Sequence, residues 1–344
     1  MTLTTEEQER YSRQVRFHGI GAEGQARLAA SSVLILGAGA LGSAIAETLV
    51  RAGVGKIVIV DRDYVEWSNL QRQNLYSEAD AEQRLPKAIA AAQRLQSVNS
   101  YVTVEGIVAD AAADEIVEYA RGVDLILDAS DNFEVRMIIN DISAKTGIPW
   151  IYGACTGSSG ISMTVVPGES ACLHCLIDEL HAEGDTCDSV GIIQPAVQMT
   201  AAYQTAEALK WLSGQKESLR GTLVSFDLWE NRHVSIVTEQ LKRTDCPSCG
   251  EKPLYPFLSA TNLSKTAVLC GRETVQIRPA RSSRLNLKLW EEILAVHGEV
   301  RRNPYMLSLD LAKHRIALFP DGRVFIHGTS DTAEARTVYH RYFG

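Results

Sequence analysis

The sequence predicts an α/β protein: a Rossmann-like, doubly wound and mostly parallel sheet with an antiparallel extension, followed by a small C-terminal α+β domain. Short apolar runs alternate with helical stretches through the first half of the chain, as in parallel sheets covered by helices. The first apolar run ends in the glycine-rich turn Gly37-x-Gly39-x-x-Gly42, which joins a strand to a helix in nucleotide-binding folds. The second half has turn-bounded strands, which are typical of antiparallel sheets.

The first half of the sequence predicts an opening helical segment followed by alternating strands and helices. Residues 5–30 are expected to form an opening helix and turn, because Gly19, Gly21 and Gly24 interrupt the helical periodicity. The alternation then predicts strands 33–36, 57–60, 102–108, 124–128 and 149–153, separated by helices 40–52, 86–98, 112–121 and 134–146. Ligands of such sheets bind beyond the carboxyl ends of the strands. Asp61 and Asp131 each follow a strand and mark that edge.

The second half of the sequence predicts antiparallel strands at 161–166, 223–229 and 234–237. A long helix over 194–213 is predicted between the first two of these strands. We expect residues 253–265, with Pro253 and Pro256, to form a linker between a domain at 1–252 and a smaller one at 266–344. The smaller domain is predicted to contain strands 267–269 and 275–277, helix 287–297, three strands within 305–327 with an Asp321-Gly322 hairpin turn, and a final helix 331–342 capped by Thr329 or Ser330.

The glycine turn and the acidic residue after the next strand form a nucleotide-binding pattern. Gly37 allows a tight turn, Gly39 lets a phosphate approach the backbone, and Gly42 lets the helix pack close to the strand. The helix N-terminus then offers its amides to an anion, and Asp61 stands where an acidic residue bonds ribose hydroxyls. Taken alone, this pattern favours a dinucleotide oxidoreductase.

Two downstream cations favour a triphosphate over a nicotinamide ring. Arg72 lies in the polar stretch Ser68–Gln73, and Lys87 follows Pro86, which is predicted at the first position of a helix. A cation at a helix N-terminus is disfavoured by about 0.3–1 kcal/mol. Either Lys87 is solvated or an anion offsets that cost, and the nearby Arg72 favours the anion.

These motifs, read in order, resemble the MoeB/ThiF/HesA family, relatives of the ubiquitin-activating enzymes, over residues 8–250. The matching segments are Arg10-Tyr-Ser-Arg13-Gln14, the glycine turn, Asp61-x-Asp63, Ser68-Asn69-Leu70-Gln71-Arg72-Gln73, Lys87 and Asp128-Ala-Ser-Asp131-Asn132. The resemblance implies ATP-dependent adenylylation of the C-terminal glycine of a small ubiquitin-like sulfur carrier protein that ends in Gly-Gly. An acyl adenylate and pyrophosphate would form ahead of a thiocarboxylate. Carriers of the molybdopterin-synthase and thiamine-pathway types both remain open, with a slight preference for the former.

The same resemblance implies roles for single residues. Arg72, Lys87 and Arg13 of a neighbouring subunit would act on phosphate charge, and Asp131 would bind Mg²⁺. Asp61 would hold the ribose, while Asn69 and Gln73 would orient the phosphates or the carrier tail. The other nucleotide-lining positions are Gly37, Gly39, Ala40, Gly42, Asp63, Ser68, Leu70, Gln71 and Asn132. Ala40 departs from the glycine that many members of the family have there.

The residues themselves leave two of these roles open. Asp131 or Asn132 could instead cap the helix that follows them, because both residue types are favoured at a helix N-cap. Arg13 could be an ordinary surface arginine on an opening helix, since spacing cannot reveal a contact between subunits.

Four of the seven cysteines form two short pairs, Cys172-Leu-His-Cys175 and Cys246-Pro-Ser-Cys249-Gly250. Four thiolates make a closed tetrahedral Zn²⁺ site with no position for substrate, so this metal would be structural. Two redox dithiols or unrelated buried thiols are the alternatives. His174, inside the first pair, is expected to be a bystander.

Cys187 stands apart in the segment Gly184–Gly191, whose small polar residues suggest a loop. The resemblance places this segment at a crossover loop whose cysteine accepts the activated acyl group. Asp185 and Asp188 would raise the pKa of its thiol, so an incidental loop cysteine is the alternative. Cys155 and Cys270 are predicted to be packing residues, and a rhodanese-like reading of Cys270 is rejected because its domain is too short.

Composition excludes other classes of protein. The net charge of −8 is carried by the main body, which argues against nucleic-acid binding. No apolar run approaches the roughly 18–20 residues that span a bilayer, and the N-terminus lacks a secretory signal pattern. We therefore expect a cytoplasmic protein that binds no nucleic acid or membrane. The family resemblance implies a homodimer that meets a carrier protein and a sulfur donor of the cysteine desulfurase or rhodanese type. An NAD-dependent oxidoreductase and a nucleotide-binding module without turnover are the alternatives.

Overall fold

The computed structural model describes residues 4–177, 190–258, 266–268, 273–278 and 285–343. Eight strands form one sheet in the order β3-β2-β1-β4-β5-β6-β7-β8. The first five are parallel, and β6 to β8 extend the sheet in antiparallel fashion, which confirms the predicted architecture. The strands are β1 Ser32–Leu36, β2 Lys56–Asp61, β3 Thr103–Val108, β4 Leu125–Asp128, β5 Trp150–Thr156, β6 Ser159–Val165, β7 Thr222–Asp227 and β8 Arg232–Val237.

Helices cover both faces of this sheet because its central strands bury both sides. In β1, Val33 and Ile35 join one apolar cluster, while Leu34 and Leu36 join the other. The helices of this part, within the described residues, are α1 Thr5–Val15, α2 Gly21–Ala30, α3 Ala40–Ala52, α4 Glu78–Glu82, α5 Lys87–Val98, α6 Ala113–Tyr119, α7 Phe133–Thr146, α8 Leu173–Ile177 and α9 Gln194–Ser213.

Two local expectations in this half were wrong. The opening segment forms two helices, and Gly24 lies inside α2, where a Cβ atom would come 3.1 Å from the Ser213 Cβ at the end of α9. Gly24 therefore permits close helix packing and does not interrupt the helix. Pro86 is the N-cap of α5, with an extended ψ of 135°, so Lys87 takes the first helical position.

A second sheet of six strands lies in the C-terminal part, in the order β11-β12-β13-β14-β10-β9. All of its neighbouring strands run antiparallel. Its elements are β9 Thr266–Val268, β10 Thr274–Ile277, α10 Leu287–Leu294, β11 Glu299–Arg302, β12 Leu307–Asp310, β13 Arg315–Leu318, β14 Val324–His327 and α11 Thr332–Phe343. We call this part, from residue 266 onward, the C-terminal domain.

The predicted hairpin turn joins β13 to β14, and Gly322 has the positive φ of 85° that such a turn requires. Strand β11 was not predicted, and α10 ends three residues earlier than expected, at Leu294. The predicted cap of the last helix was also wrong. Asp331 Oδ1 accepts the Ala333 amide at 2.7 Å, while the Thr329 hydroxyl accepts the amide of Asp331 at 3.0 Å.

The predicted linker is structured at its start, where Pro256–Leu258 form a short 3₁₀ helix. Residues 259–265 lie outside the described part of the chain. In the ranges that the structure describes, no helix combines the length and the apolar character needed to cross a membrane.

Candidate functional site

The glycine turn between β1 and α3 is built so that only glycine fits at two of its positions. Gly37 has a φ of 100°, and a Cβ there would come 2.4 Å from the Ala129 carbonyl oxygen. A Cβ on Gly42 would come 1.9 Å from the carbonyl oxygen of Gly37. These contacts hold the start of α3 against the ends of β1 and β4.

Gly39 differs, because a side chain there would not clash with the described part of the protein. It is the N-cap of α3, with a φ of −73°, and of the described atoms a Cβ there would meet only Gln73 Nε2 within 4 Å, at 3.9 Å. Gln73 is 3% exposed, and its Oε1 atom has no hydrogen-bond partner among the residues that the structure describes. A buried amide with an unsatisfied oxygen needs an explanation such as a missing ligand. An amide oxygen only accepts hydrogen bonds, so Gln73 Oε1 calls for a donor group on a ligand. The Gln73 Nε2 atom and the amides at the start of α3 are the groups here that can donate to a phosphate.

Asp61 and Asp63 line the neighbouring edge, at the end of β2. The Asp61 carboxylate accepts the Ala38 amide at 2.6 Å and the Asp63 amide at 2.7 Å. Burial raises the pKa of Asp61, although the positive charge of Lys87 opposes the shift. The carboxylate thus faces the glycine turn in the position expected of a ribose ligand.

Lys87 is not solvated, which removes that alternative. Its side chain is 3% exposed, and its Nζ atom lies 3.0 Å from Asp63 Oδ2. The Tyr76 hydroxyl contacts the carbonyl oxygens of both Ala38 and Lys87, at 2.5 and 3.2 Å. The ammonium group is therefore fixed beside the glycine turn, and an internal carboxylate offsets its unfavourable helix position.

The polar stretch Ser68–Gln73 begins in a 3₁₀ helix, Trp67–Asn69. Asn69 is buried and accepts the Glu66 amide at 3.0 Å, so its side chain shapes this turn. Arg72 is partly exposed and donates to the Ser68 carbonyl oxygen at 2.8 Å. The exposed Gln71 reaches the Ile192 carbonyl oxygen at 3.4 Å, and Leu70 packs against the core.

Asp131 and Asn132 divide the two roles that the sequence left open. Asn132 is the N-cap of α7, and its Oδ1 atom accepts the Glu134 amide at 2.8 Å. Asp131 takes no part in this cap. Its side chain is 71% exposed, and its Oδ1 atom lies 3.7 Å from the Arg62 guanidinium. An exposed carboxylate at a strand end fits a Mg²⁺ ion, which takes one or two carboxylates together with phosphate oxygens.

Sequence reasoning missed three residues of this site: Arg62, Arg136 and Tyr76. Arg62 lies between two aspartates in sequence, a signal that could have identified it. Arg136 pairs at 3.1 Å with the buried Asp128 at the end of β4. Burial raises the pKa of Asp128, although Arg136 opposes the shift.

For two predicted site residues, Arg13 and Cys187, the structure shows no contact with the glycine turn among the residues that it describes. Arg13 is exposed near the end of α1 and donates to the Ser12 hydroxyl at 3.3 Å. Cys187 lies outside the described residues, as does Cys270. Cys155 packs partly buried against the main core, as expected.

The four paired cysteines converge on one point. Their sulfur atoms all lie within 4.8 Å of one another, with Sγ–Sγ distances of 3.8 Å for Cys172–Cys175, 3.6 Å for Cys172–Cys246 and 3.5 Å for Cys175–Cys249. A tetrahedral Zn²⁺ with Zn–S bonds of about 2.3 Å requires sulfur separations of about 3.8 Å. Four sulfurs at these separations fit zinc, and two separate dithiols do not explain the contacts between the pairs.

The cysteine cluster is attached to α7 by hydrogen bonds. The Asn140 side chain accepts the Leu173 amide at 2.8 Å, and Asp141 accepts from the Ser248 hydroxyl and from the Phe257 amide. His174 bonds to Ser248 through Nδ1 at 2.9 Å, in agreement with its expected bystander role. The cluster thus joins α7, α8 and the start of the linker.

Known proteins resemble this chain in sequence and in fold. The ThiF family matches residues 11–248. The sulfur carrier protein ThiS adenylyltransferase of Bacillus subtilis (strain 168) is 52% identical over 336 residues, covering 97% of this chain and 99% of the relative. The SAMP-activating enzyme E1 of Haloferax volcanii is 35% identical and covers 73% of this chain and 92% of the relative. The crystal structure of E. coli MccB with ATP has a TM-score of 0.61 at 23% identity, covering 70% of this chain and 74% of that chain, a likeness of fold.

Proposed function

Because this chain belongs to the ThiF family, we propose that it is an adenylyltransferase that activates the C-terminal glycine carboxylate of a sulfur carrier protein with ATP. The observation that carries the proposal is the buried Lys87–Asp63 pair, which Tyr76 links to the glycine turn that ends at the N-terminus of α3. Together they provide a fixed cation and a helix N-terminus for phosphate oxygens.

The reaction joins two anions, so the protein must reduce their repulsion and hold them in line. A carboxylate oxygen of the carrier attacks the α-phosphorus of ATP, and the bond from that phosphorus to the oxygen that bridges to the β-phosphate breaks. Pyrophosphate leaves, and an acyl adenylate remains. In this proposal Lys87, Arg72 and the amides at Gly39 take up phosphate charge, and fixed charges of this kind act without reorganisation during the step.

Two carboxylates have distinct parts in this proposal. Asp61 binds the ribose, since its carboxylate already faces the glycine turn through the Ala38 amide. Asp131 holds Mg²⁺, which supplies charge neutralisation on the phosphates when it is bound. Asn69 shapes the turn that brings Gln73 over Gly39, and the Gln73 amide orients a phosphate.

The carrier that we propose is of the thiamine-pathway ThiS type. The Bacillus subtilis relative named for that carrier is 52% identical and matches 97% of this chain, whereas the Haloferax volcanii relative is 35% identical and matches 73% of it. This choice differs from the slight preference for a molybdopterin-synthase carrier that the overall family resemblance suggested.

Further parts of the proposal rest on the family. The enzyme works as a homodimer in which Arg13 of one subunit reaches the phosphates of the other. The Cys187 thiolate then takes the acyl group from the adenylate and AMP leaves. Sulfide delivered by a sulfur donor attacks the resulting thioester, the Cys187 thiolate leaves, and the carrier thiocarboxylate remains. We divide the chain into an adenylylation domain at 1–252, a linker at 253–265 and the C-terminal domain at 266–344.

ATP–pyrophosphate exchange with purified protein tests the proposal. Each carrier type is added separately, and a carrier that lacks its terminal glycine is the matched control. We expect exchange that needs the ThiS-type carrier, its terminal glycine and Mg²⁺. Exchange with the molybdopterin-synthase carrier alone would overturn the choice of carrier, and no exchange with either would overturn the adenylylation.

A further inference from the structure

Alternate residues of the segment 61–66 face opposite ways. Asp61 bonds to the glycine turn, Asp63 pairs with Lys87, and Val65 is buried in the core of the main sheet. The residues between them face the C-terminal domain. Tyr64 and Glu66 contact it directly, and Arg62 contacts it through Asp110. One side of this segment therefore belongs to the proposed nucleotide site, and the other side belongs to a contact surface between the two sheets.

Tyr64 is the apolar part of this contact. It is buried in a cluster with four residues of the C-terminal domain, Met306, Ala317, Phe319 and Phe325. Its hydroxyl lies 2.8 Å from His327 Nε2. A buried tyrosine with a satisfied hydroxyl fixes both the position and the rotation of its backbone segment.

Charged groups continue the contact on both sides of Tyr64. Glu66 forms an ion pair with Arg315 of β13. Arg62 lies 3.4 Å from Asp110, and the Arg278 Nε atom donates to the same carboxylate at 2.7 Å. Burial alone would raise the pKa of Asp110, but Arg62 and Arg278 outweigh it and the pKa is lowered. Because Arg62 also pairs with Asp131, this series of ion pairs runs from the C-terminal domain to the proposed Mg²⁺ ligand.

The segment that presents Lys87 is held in the same way. The Val65 amide donates to the Leu85 carbonyl oxygen at 2.8 Å, and the Lys87 amide donates to the Asp63 carbonyl oxygen at 2.9 Å. Arg84 has a φ of 49° and pairs at 3.1 Å with Asp310 of the C-terminal domain. A non-glycine residue at positive φ persists where its surroundings hold it.

We propose that the C-terminal domain positions the nucleotide site. Arg278, acting through Asp110, and Arg315 are positioning residues for segment 61–66, while Asp310 holds segment 84–87 through Arg84. This inference rests on the proposed function, and it gives the C-terminal domain a task in nucleotide binding. Neither arginine touches the nucleotide. Their loss lets Asp61, Asp63, Lys87 and Asp131 sample more positions, so nucleotide affinity falls and carrier affinity stays the same.

The test compares Arg278→Ala and Arg315→Ala with Arg301→Ala in the full chain. Arg301 is the matched control, because it lies in the same domain and its side chain is 55% exposed. Its ion pair, at 2.8 Å, is with Glu299 on the same strand. We expect the Kd for MgATP to rise about 3- to 30-fold in the two test variants, the range for residues that couple to a distant site. The control should bind as the wild type does, and Arg315→Lys should recover part of the loss.

Amide hydrogen exchange of residues 61–66 is the second measurement, and it requires no nucleotide. Exchange should be faster in the two test variants than in the wild type or Arg301→Ala. Unchanged exchange and unchanged MgATP affinity would overturn the inference, and so would a rise in the KM for the carrier alone. If the wild-type protein binds MgATP but gives no pyrophosphate exchange, the proposed adenylylation is refuted. The positioning role is still decided in that case, because MgATP affinity and amide hydrogen exchange can both be compared between the variants and the wild type.

Discussion

Lys87 and Asp63 form a buried ion pair, with 3.0 Å between the Lys87 Nζ atom and Asp63 Oδ2. The pair lies where α5 begins, and the helix dipole disfavours a cation there. Asp63 holds the ammonium in place without a nucleotide, so the cation is already positioned before the triphosphate arrives. Charge that needs no rearrangement is the kind that lowers a barrier most.

Replacing Lys87 with Ala should affect both activity and stability. We expect the kcat/KM for pyrophosphate exchange to fall on the order of 10²-fold or more, because a fixed cation is lost. Stability should fall by about 3–5 kcal/mol, because Asp63 is left as a buried charge without its partner. Lys56→Ala is the control, since Lys56 is exposed and pairs with Glu105 at 3.3 Å. Exchange assays and urea denaturation measure the two effects; an active Lys87→Ala enzyme would contradict the proposed role.

Asp131→Asn should separate activity from stability. Its side chain is 71% exposed and does not cap α7, so the free energy of unfolding should change by about 0.5 kcal/mol or less. Pyrophosphate exchange should fall on the order of 10²-fold and should need more Mg²⁺. Asn132→Ala should show the opposite pattern, a loss of about 1 kcal/mol from the helix cap. A destabilised Asp131→Asn protein with normal Mg²⁺ dependence would argue against a metal ligand.

Two glycine variants should fail for different reasons. Gly37→Ala places a methyl group 2.4 Å from the Ala129 carbonyl oxygen at a φ of 100°, so thermal denaturation should show a large loss of stability. Gly39→Ala meets nothing closer than 3.9 Å, so its melting temperature should stay near that of the wild type. Its KM for ATP should nevertheless rise, because the methyl group fills the space for a phosphate. Equal ATP affinity in Gly39→Ala and wild type would place the phosphate elsewhere.

The cysteine cluster should bind one zinc ion per chain. Cys246→Ser should lose that zinc and fold poorly, because structural zinc supplies on the order of 10 kcal/mol, comparable with the total stability of a domain. Cys155→Ser should keep its zinc, since Cys155 lies outside the cluster. Elemental analysis and thermal denaturation, with and without a chelator, make the comparison. A full zinc content in Cys246→Ser would rule out the four-cysteine site.

The contact around Asp110 should depend on pH in a defined direction. The pKa of Asp110 is lowered from its ordinary 3.8, because Arg62 and Arg278 outweigh burial. A carboxyl with a lowered folded-state pKa stabilises the protein above its unfolded-state pKa, and this contribution disappears as the pH falls through the folded-state value. Asp110→Asn should therefore cost about 3–5 kcal/mol at pH 7. The difference from wild type should persist to about pH 4 and shrink below it, as measured by urea denaturation at several pH values.

The sequence predicted the main sheet well, since apolar periodicity and glycine turns are local signals. The right-handed crossover rule then places the helices that precede β2 and β4 on opposite faces of the sheet, and α3 and α6 contribute to different apolar clusters. The four-cysteine cluster was also predictable, because metal ligands of one kind come in short pairs. These features depend on residue type and spacing, which a single chain displays directly.

Other features depend on contacts between distant segments. The partner of Lys87 was not identified, because Asp63 lies 24 positions away and the pairing of segments 63–65 and 85–87 fixes the contact. Asp131 and Asn132 are adjacent residues with equal capping ability, so only the backbone could assign the cap. The ion pairs from Arg278 to Asp131 form only when the C-terminal domain packs against the main sheet. No local sequence pattern predicts that packing.

The distance along the chain between the two cysteine pairs has a consequence for biosynthesis. Cys172 and Cys246 are 74 positions apart, and the chain between them includes α9, β7 and β8. While the polypeptide is being made, the first pair alone can offer an arriving zinc ion only two thiolates. The full set of four exists only after the antiparallel edge of the sheet has been synthesised. Metal capture by all four thiolates is therefore a late event in the assembly of this protein, and a chain truncated before Cys246 lacks half of the cluster that holds its segments on α7.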